Sequence, residues 1–166
     1  MIGDLETIDL GHWAAWVMAA LLAAPAVAAD SSLAQQMLAA HNAVRAEVKT
    51  RPLVWSDKLA EAAQNWANRL IVERVLAHQK HSKYGENLFE TNGSGTPPAE
   101  VVKRWASEAA NYDYKTNRCN GACLHYTQIV WHDTRRVGCA VARGAGHEVW
   151  VCEYDPPGNY VGERPW

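Results

Sequence analysis

Apolar residues at helical spacing predict a first helix at the start of the globular part of the chain. The segment Asp30–Ser32 offers side chains that can cap a helix start. The predicted helix reaches about Lys49 and ends at Arg51-Pro52, because a residue before proline avoids the helical conformation. Its apolar face consists of Leu33, Met37, Ala40, Val44 and Val48.

The same spacing predicts two further helices. Ser56 can cap a second helix that extends to about Arg74. Thr96 can cap a third helix, with Pro97 at its first position, after a Gly- and Pro-rich loop. The apolar positions are Leu59, Ala63, Trp66 and Leu70 in the second helix, and Val101, Val102, Trp105 and Ala109 in the third.

Three late segments alternate or run apolar and predict strands. They are His125–Trp131, Arg136–Arg143 and Glu148–Tyr154, with short turns between them. We expect an antiparallel meander with helices packed on it, after an irregular loop at Asn111–Cys123. The pattern therefore indicates a mixed α/β fold in one domain, residues 30–166.

The first 29 residues predict a signal peptide or apolar leader. No residue from Trp13 to Ala29 is charged, and Ala26-Val27-Ala28 matches a small-x-small cleavage site. The first ten residues carry three acids where a signal peptide usually has cations, so an uncleaved anchor is the alternative. The chain is expected to be secreted, or periplasmic.

Composition and charge exclude some classes of function. The 166 residues are 48% hydrophobic and 20% charged, which is typical of a globular domain. A net charge of −2 and the lack of a basic cluster argue against capture of nucleic acid or of an anionic membrane. Eight Trp and six Tyr against one Phe suit grooves that are partly wet.

Four cysteines predict two disulfides in an exported chain: Cys119, Cys123, Cys139 and Cys152. A turn at Gly144–His147 would pair Arg143 with Glu148, and stepping back along both strands sets Cys139 opposite Cys152. Cys119 would then pair with Cys123. A zinc site is the rival interpretation, because Cys119-x-x-x-Cys123 resembles half of a zinc finger.

Candidate chemistry rests on two histidines and two glutamates near segment ends. Glycine-rich phosphate loops, Gly-x-Ser-x-Gly and His-Glu-x-x-His motifs do not occur in the sequence. His81, Glu86, Glu108 and His125 could bind a divalent metal or form a general acid–base cluster. Their spacing alone does not bring these four residues together.

Four motifs resemble those of the CAP superfamily, the group of cysteine-rich secretory proteins, antigen 5 and pathogenesis-related 1. The two late motifs are His125–Trp131, followed by Thr134, and Trp150–Tyr160. The two early motifs are His41–Arg45 in the first helix and Gly85–Leu88. The motifs occur in the family's order, so the chain is identified as a single-domain member. Two departures are Leu124 in place of Gly and Glu153 in place of Asn.

The resemblance implies a fold and a site. The fold would be a three-layer α-β-α sandwich with a central antiparallel sheet. A large cleft would carry His81, Glu86, Glu108 and His125, which can bind zinc in family members, although no cofactor is required. Structural roles would fall to the remaining motif residues: His41, Asn42, Arg45, Asn87, Tyr126, Gln128 and Asn159. The disulfides Cys119–Cys123 and Cys139–Cys152 agree with the plant type of the family.

The resemblance also implies three functions. The first is binding of a sterol or other lipid, with contacts from Tyr112, Tyr114 and Leu124 in the loop before His125. The second is a metal-dependent hydrolase that uses the His/Glu tetrad. The third is a secreted defence or host-interaction protein without catalysis. We expect a monomer with a lipid or an extracellular protein as its partner, and not a nucleic acid.

Overall fold

The computed structural model describes residues 32–166, so the predicted leader at 1–29 lies outside the described residues. Within the described residues, no helix combines the length and apolar character that crossing a membrane requires. The helices are α1 (Leu33–Glu47), α2 (Asp57–Glu73), α3 (Pro98–Ala106), a 3-10 helix (Ser107–Asn111) and α4 (Leu124–Ile129). The strands are β1 (Val54–Trp55), β2 (Gly85–Asn92), β3 (Tyr112–Asp113), β4 (Arg118–Cys119), β5 (Arg136–Gly144) and β6 (His147–Asp155).

The first two helices confirm the predictions from their caps and apolar spacing. The Ser32 hydroxyl accepts from the Gln35 backbone N–H, while the Gln35 side chain accepts from the Ser32 N–H, which forms a capping box. Ser56 caps α2 in the predicted way. Arg74 ends that helix in the left-handed conformation, at the predicted position.

The central sheet has four strands in the order β1-β5-β6-β2. The β5–β6 hairpin has the predicted register, with Arg143 opposite Glu148 and Cys139 opposite Cys152. Strand β2 pairs antiparallel with the other side of β6. The sheet is mixed rather than wholly antiparallel, because the two residues of β1 pair parallel with β5 at the edge.

The predicted strand at His125–Trp131 is wrong, because the chain forms α4 there. A short apolar run has the same pattern in a buried strand and in a buried helix, so its period does not separate them. In the predicted meander the His125–Trp131 strand would lie beside β5, and in the structure the two residues of β1 occupy that position instead. The predicted cap of the third helix is also displaced, since Pro97 is the N-cap of α3 and Thr96 binds Glu148 instead.

Helices cover both faces of the sheet and give the expected three layers. On one face, α1, α3 and α4 pack on alternate sheet residues that include Val137, Trp150 and Tyr154. On the other face, α2 packs on the intervening residues, including Ala140 and Val151. Alternation along each strand is what allows one sheet to bury both faces.

Both predicted disulfides are present, which excludes the rival zinc interpretation for these cysteines. Cys119 is bonded to Cys123, and Cys139 is bonded to Cys152. Among the described residues no cysteine is free. The Cys139–Cys152 bond joins the middle of the β5–β6 hairpin inside the core, where both residues are buried.

A buried carboxylate fastens the loop before α3 to the sheet. Glu148 is fully buried, and its oxygens accept from the backbone N–H groups of Gly95 and Thr96 at 2.8 and 3.2 Å. Arg143 Nε donates to it at 2.7 Å and Trp150 Nε1 at 3.2 Å. Burial alone would raise the pKa of Glu148, but these hydrogen bonds outweigh it and lower the pKa to about 2.

We predict that Glu148→Gln lowers the free energy of unfolding by about 2 kcal/mol at neutral pH, because hydrogen bonds to a charged group are lost. The contribution of Glu148 is present above about pH 4.5 and is lost as the pH falls towards 2. Urea unfolding at several pH values measures both effects. Glu61→Gln, at an exposed position of α2, is the control. An equal loss in both variants would contradict the prediction.

Candidate functional site

His125 and Glu108 form a close pair at the start of α4. The backbone N–H of His125 donates to Glu108 Oε2 at 3.0 Å, and the ring Nδ1 donates to Glu108 Oε1 at 2.7 Å. The imidazole also stacks on Trp105, with ring centroids 6.2 Å apart. Glu108 therefore both satisfies a free N–H of the helix start and fixes the orientation of the imidazole.

A second pair joins the loop after α2 to strand β2. His78 Nδ1 donates to Glu86 Oε1 at 2.5 Å, and the Gln79 backbone N–H donates to the same oxygen at 3.2 Å. The hydrogen bond that His78 donates to Glu86 raises the pKa of His78 above its ordinary value, and this effect outweighs partial burial. The arrangement favours the charged form of the His78 imidazole next to the Glu86 carboxylate.

His81, which the resemblance places in the cleft, is exposed in the structure with a left-handed backbone (φ 61°). His78 and not His81 lies against Glu86 and among the residues that line the cleft. Both histidines belong to the polar loop between α2 and β2. Neither hydrophobic periodicity nor their spacing along the chain from Glu86 therefore distinguishes them. The contact with Glu86 is the only signal that selects His78, and it exists only in the folded chain.

Glu153 forms an additional acidic position beside Glu86, and sequence reasoning did not assign it a role. The two residues are direct partners in the β2–β6 ladder. Glu153 is fully buried, and both of its carboxyl oxygens lack a hydrogen-bond partner among the described residues. Burial, together with the negative charge of Glu86, raises the pKa of Glu153 to about 8. Glu153 therefore carries a proton at neutral pH.

The predicted tetrad is not assembled as a metal cage. Within residues 32–166, one group of three or more potential ligands has all its ligand atoms within 4.8 Å: His41, Cys139 and Cys152. Its two sulfurs are already bonded to each other. In the two His/Glu pairs, each histidine is hydrogen-bonded to its glutamate through Nδ1 alone, and Glu86 Oε2 has no hydrogen-bond partner among the described residues. These two pairs therefore do not by themselves prevent metal binding, because Nε2 of a ring held in this way can still be a ligand.

A cleft of about 500 Å³ opens between these pairs. Polar side chains of His78, Glu86 and His125 contribute to its lining, but most of the lining surface is apolar. The apolar wall consists of residues from the loop before α4 and the start of that helix: Cys119, Gly121, Ala122, Cys123 and Leu124. Asn87 and Asn159 complete the lining. The volume lies in the range that accommodates small molecules.

The three residues predicted to contact lipid lie in different places. Leu124 lines the cleft, and 62% of its surface is exposed at the rim. Tyr112 lies in a separate, smaller cavity of about 180 Å³, where Leu124 is also present. Tyr114 stacks on Trp166 with ring centroids 4.9 Å apart, and its hydroxyl donates to the Trp166 carbonyl. Of these three residues, only Leu124 therefore lines the cleft beside His125.

Buried polar groups connect α1 to the backbone of His125. His41 Nδ1 donates to the Met37 carbonyl at 2.7 Å, and His41 Nε2 accepts from the Tyr154 hydroxyl at 2.8 Å. Asn87 Nδ2 donates to the Tyr154 oxygen at 3.1 Å and to the His125 carbonyl at 3.0 Å. Burial lowers the pKa of His41 to about 4, so the ring is neutral and can accept from Tyr154.

The other motif residues tie loops to this framework. Arg45, also buried, donates to the carbonyls of Arg51, Ile129, Trp131 and Thr134. Asn42 exchanges two hydrogen bonds with the Leu53 backbone. Tyr126 is a core residue of α4. The turn after β6 is held by Gln128, which accepts from the Gly158 N–H, and by Asn159, which donates to the Leu124 carbonyl.

Comparisons with a family model and with known proteins indicate the same family. The model of the cysteine-rich secretory protein family, CAP, matches residues 38–154. Pathogenesis-related protein 1 of Arabidopsis thaliana is 42% identical over 154 residues, which covers 90% of this chain and 93% of that protein. Pathogenesis-related protein 1A of Nicotiana tabacum is 46% identical over 135 residues and 80% of each chain.

A solved structure shows the same fold. Venom allergen-like protein 4 of Schistosoma mansoni matches with a TM-score of 0.70 and 25% identity, over 82% of this chain and 94% of that one. The fold and the site thus define a disulfide-bonded α-β-α domain with an open His/Glu cleft. The chain belongs to the CAP family and is similar to the pathogenesis-related 1 proteins of plants.

We predict that Glu153 makes stability depend on pH in the direction opposite to Glu148. Its folded pKa is raised, so its contribution is present below about pH 4.5 and is lost as the pH rises to about 8. The loss amounts to at most about 1.4 kcal/mol per pH unit. Glu153→Gln keeps a neutral side chain and should remove this dependence.

Urea unfolding of the wild type and of Glu153→Gln across that pH range measures the effect. Relative to the wild type, the variant should gain stability as the pH rises, whereas Glu61→Gln should not. A stability difference between wild type and Glu153→Gln that is constant with pH would show that Glu153 is ionised in the folded protein.

Proposed function

We propose that this protein is a secreted binding protein without catalytic activity, whose cleft beside His125 takes an apolar ligand with a polar end group, such as a sterol or another lipid. The observation that carries the proposal is a mostly apolar cleft lining that also includes the polar side chains of His78, Glu86 and His125. A hydroxyl or carboxyl group would meet the imidazoles of His78 and His125, and the hydrocarbon part would lie along Leu124.

The stiffness of the apolar wall supports this proposal. Cys123 is fully buried and bonded to Cys119, and the Asn111 side chain donates to the Ala122 carbonyl at 2.8 Å. Asn159 donates to the Leu124 carbonyl at 2.9 Å from the other side. A wall that is fixed before the ligand arrives loses little entropy on binding, so a small apolar contact contributes more to affinity.

Secretion and a role in defence are the broader part of the proposal. Two disulfides are typical of proteins that fold in an oxidising compartment. The uncharged stretch before residue 30 has the character of an export signal. The relatives in plants carry the name pathogenesis-related, which supports a defence role for this chain as well.

A metal-dependent hydrolase using the same residues is the alternative. His78 and His125 use only Nδ1 in their pairs with glutamate, and Glu86 Oε2 is buried without a hydrogen-bond partner among the described residues. A metal could therefore bind Nε2 of a ring or this oxygen without displacing Glu108 or His78. The two functions separate experimentally, because His125→Ala would abolish hydrolysis while leaving most of the apolar wall for lipid. Retained lipid binding after removal of metal with a chelator would support the binding protein.

We predict saturable binding of a fluorescent sterol or of a labelled fatty acid to the purified domain. Leu124→Asp should weaken it by about tenfold or more, because a carboxylate in the apolar contact must lose water without gaining a partner. Val54→Asp is the matched control, since Val54 is exposed to nearly the same extent as Leu124 and does not line the cleft. Absence of binding by the wild type, or an equal loss in both variants, would overturn the proposal.

A further inference from the structure

The end of α2 and the loop after it form an exposed basic and apolar segment, residues 69–84, that the proposed function does not use. Every residue from Val72 to His81 is exposed. Val72 exposes 80% of its surface, Val75 45% and Leu76 44%. Three of the large exposed hydrophobic residues among the described ones thus lie within five positions of the chain.

Hydrogen bonds hold this segment in place, so its apolar residues point outward from an ordered backbone. Trp66 Nε1 donates to the Ala77 carbonyl at 3.1 Å, directly after Leu76. His78 and the Gln79 N–H are both bound to Glu86. The Arg74 N–H donates to the Leu70 carbonyl at the end of α2. Anchors on both sides of Val75 and Leu76 therefore keep these side chains from turning into the core.

The charge of the segment differs from that of the whole chain. Residues 69–84 contain four cationic side chains, Arg69, Arg74, Lys80 and Lys83, and one carboxylate, Glu73. Glu73 is paired with Arg69 at 2.7 Å, so Arg74, Lys80 and Lys83 supply the net positive charge. The net charge of −2 for the chain conceals this local excess.

We propose that residues 69–84 form a docking surface for an anionic lipid bilayer. Exposed aliphatic side chains flanked by lysine and arginine are suited to the interface, where the side chains enter the headgroup region and the cations meet lipid phosphates. The combination of aliphatic side chains with cations matches a bilayer, which offers both hydrocarbon and phosphate, and an acidic protein is the competing occupant that the experiment distinguishes. The proposal amends the expectation that the protein does not bind anionic membranes.

The position of the surface connects it with the cleft. His78 lies within the segment and is also one of the residues that line the cleft. Elsewhere in the segment, Val72, Val75 and Arg74 line a cavity of about 620 Å³ between α2 and the β5–β6 turn. Docking through this surface would bring the His78 part of the cleft near the bilayer. It does not depend on which ligand, if any, the cleft accepts.

Co-sedimentation of the purified domain with vesicles tests the proposal. The vesicles consist of phosphatidylcholine with or without phosphatidylserine, and contain neither sterol nor free fatty acid, so failure of the cleft proposal would not affect the result. We expect binding to the anionic vesicles only, and weaker binding as salt increases. Lys80→Gln/Lys83→Gln and Val72→Ser/Leu76→Ser should each reduce the fraction bound by about tenfold.

Matched controls carry the same chemical changes elsewhere. Lys103→Gln/Lys115→Gln removes the same charge from exposed positions, and Val54→Ser/Val161→Ser removes two exposed aliphatic side chains that do not line the cleft. Both controls should bind vesicles like the wild type. No binding by the wild type overturns the proposal and leaves the surface to a protein partner. An equal loss in a test pair and its control also overturns it, because net charge or general hydrophobicity would then explain binding.

Discussion

A series of buried hydrogen bonds from helix α1 to the backbone of His125 is the constraint on which the cleft depends. His41, Tyr154 and Asn87 are all buried, and each satisfies the next, so none can be removed without leaving a polar group unpaired in the core. The last bond holds the His125 carbonyl at the start of α4. Helix, sheet and cleft are therefore positioned by one set of interactions, and the apolar core packs around it.

Local signals in the sequence predicted much of the framework. The caps at Ser32 and Ser56 act over three residues, and the register of the β5–β6 hairpin follows from a short turn, which also gave the Cys139–Cys152 pairing. The helix at Leu124–Ile129 could not be predicted in this way. The start of this helix depends on a hydrogen bond to Glu108, which lies sixteen residues before Leu124. A run of only six residues is too short for its hydrophobic periodicity to distinguish a helix from a strand.

The site was predictable only in part, for a similar reason. The motifs indicate which segments contribute to the cleft, and Glu86, Glu108 and His125 lie at or beside it. They do not indicate which histidine of the polar loop after α2 lies against Glu86. That choice is made by the path of the loop after α2, which Trp66 fixes through the Ala77 carbonyl. Glu153 adds a buried, protonated carboxyl beside Glu86 in the sheet, and the motifs give no signal for this role.

The pairing of His78 with Glu86 is the most specific claim about the cleft, and NMR titration of the imidazoles tests it directly. In the wild type the pKa of His78 should lie above its ordinary value, because the Glu86 carboxylate stabilises the charged ring. In Glu86→Gln the pKa of His78 should fall. If the substitution instead altered the titration of His81 and left that of His78 unchanged, the arrangement of the cleft described above would be contradicted.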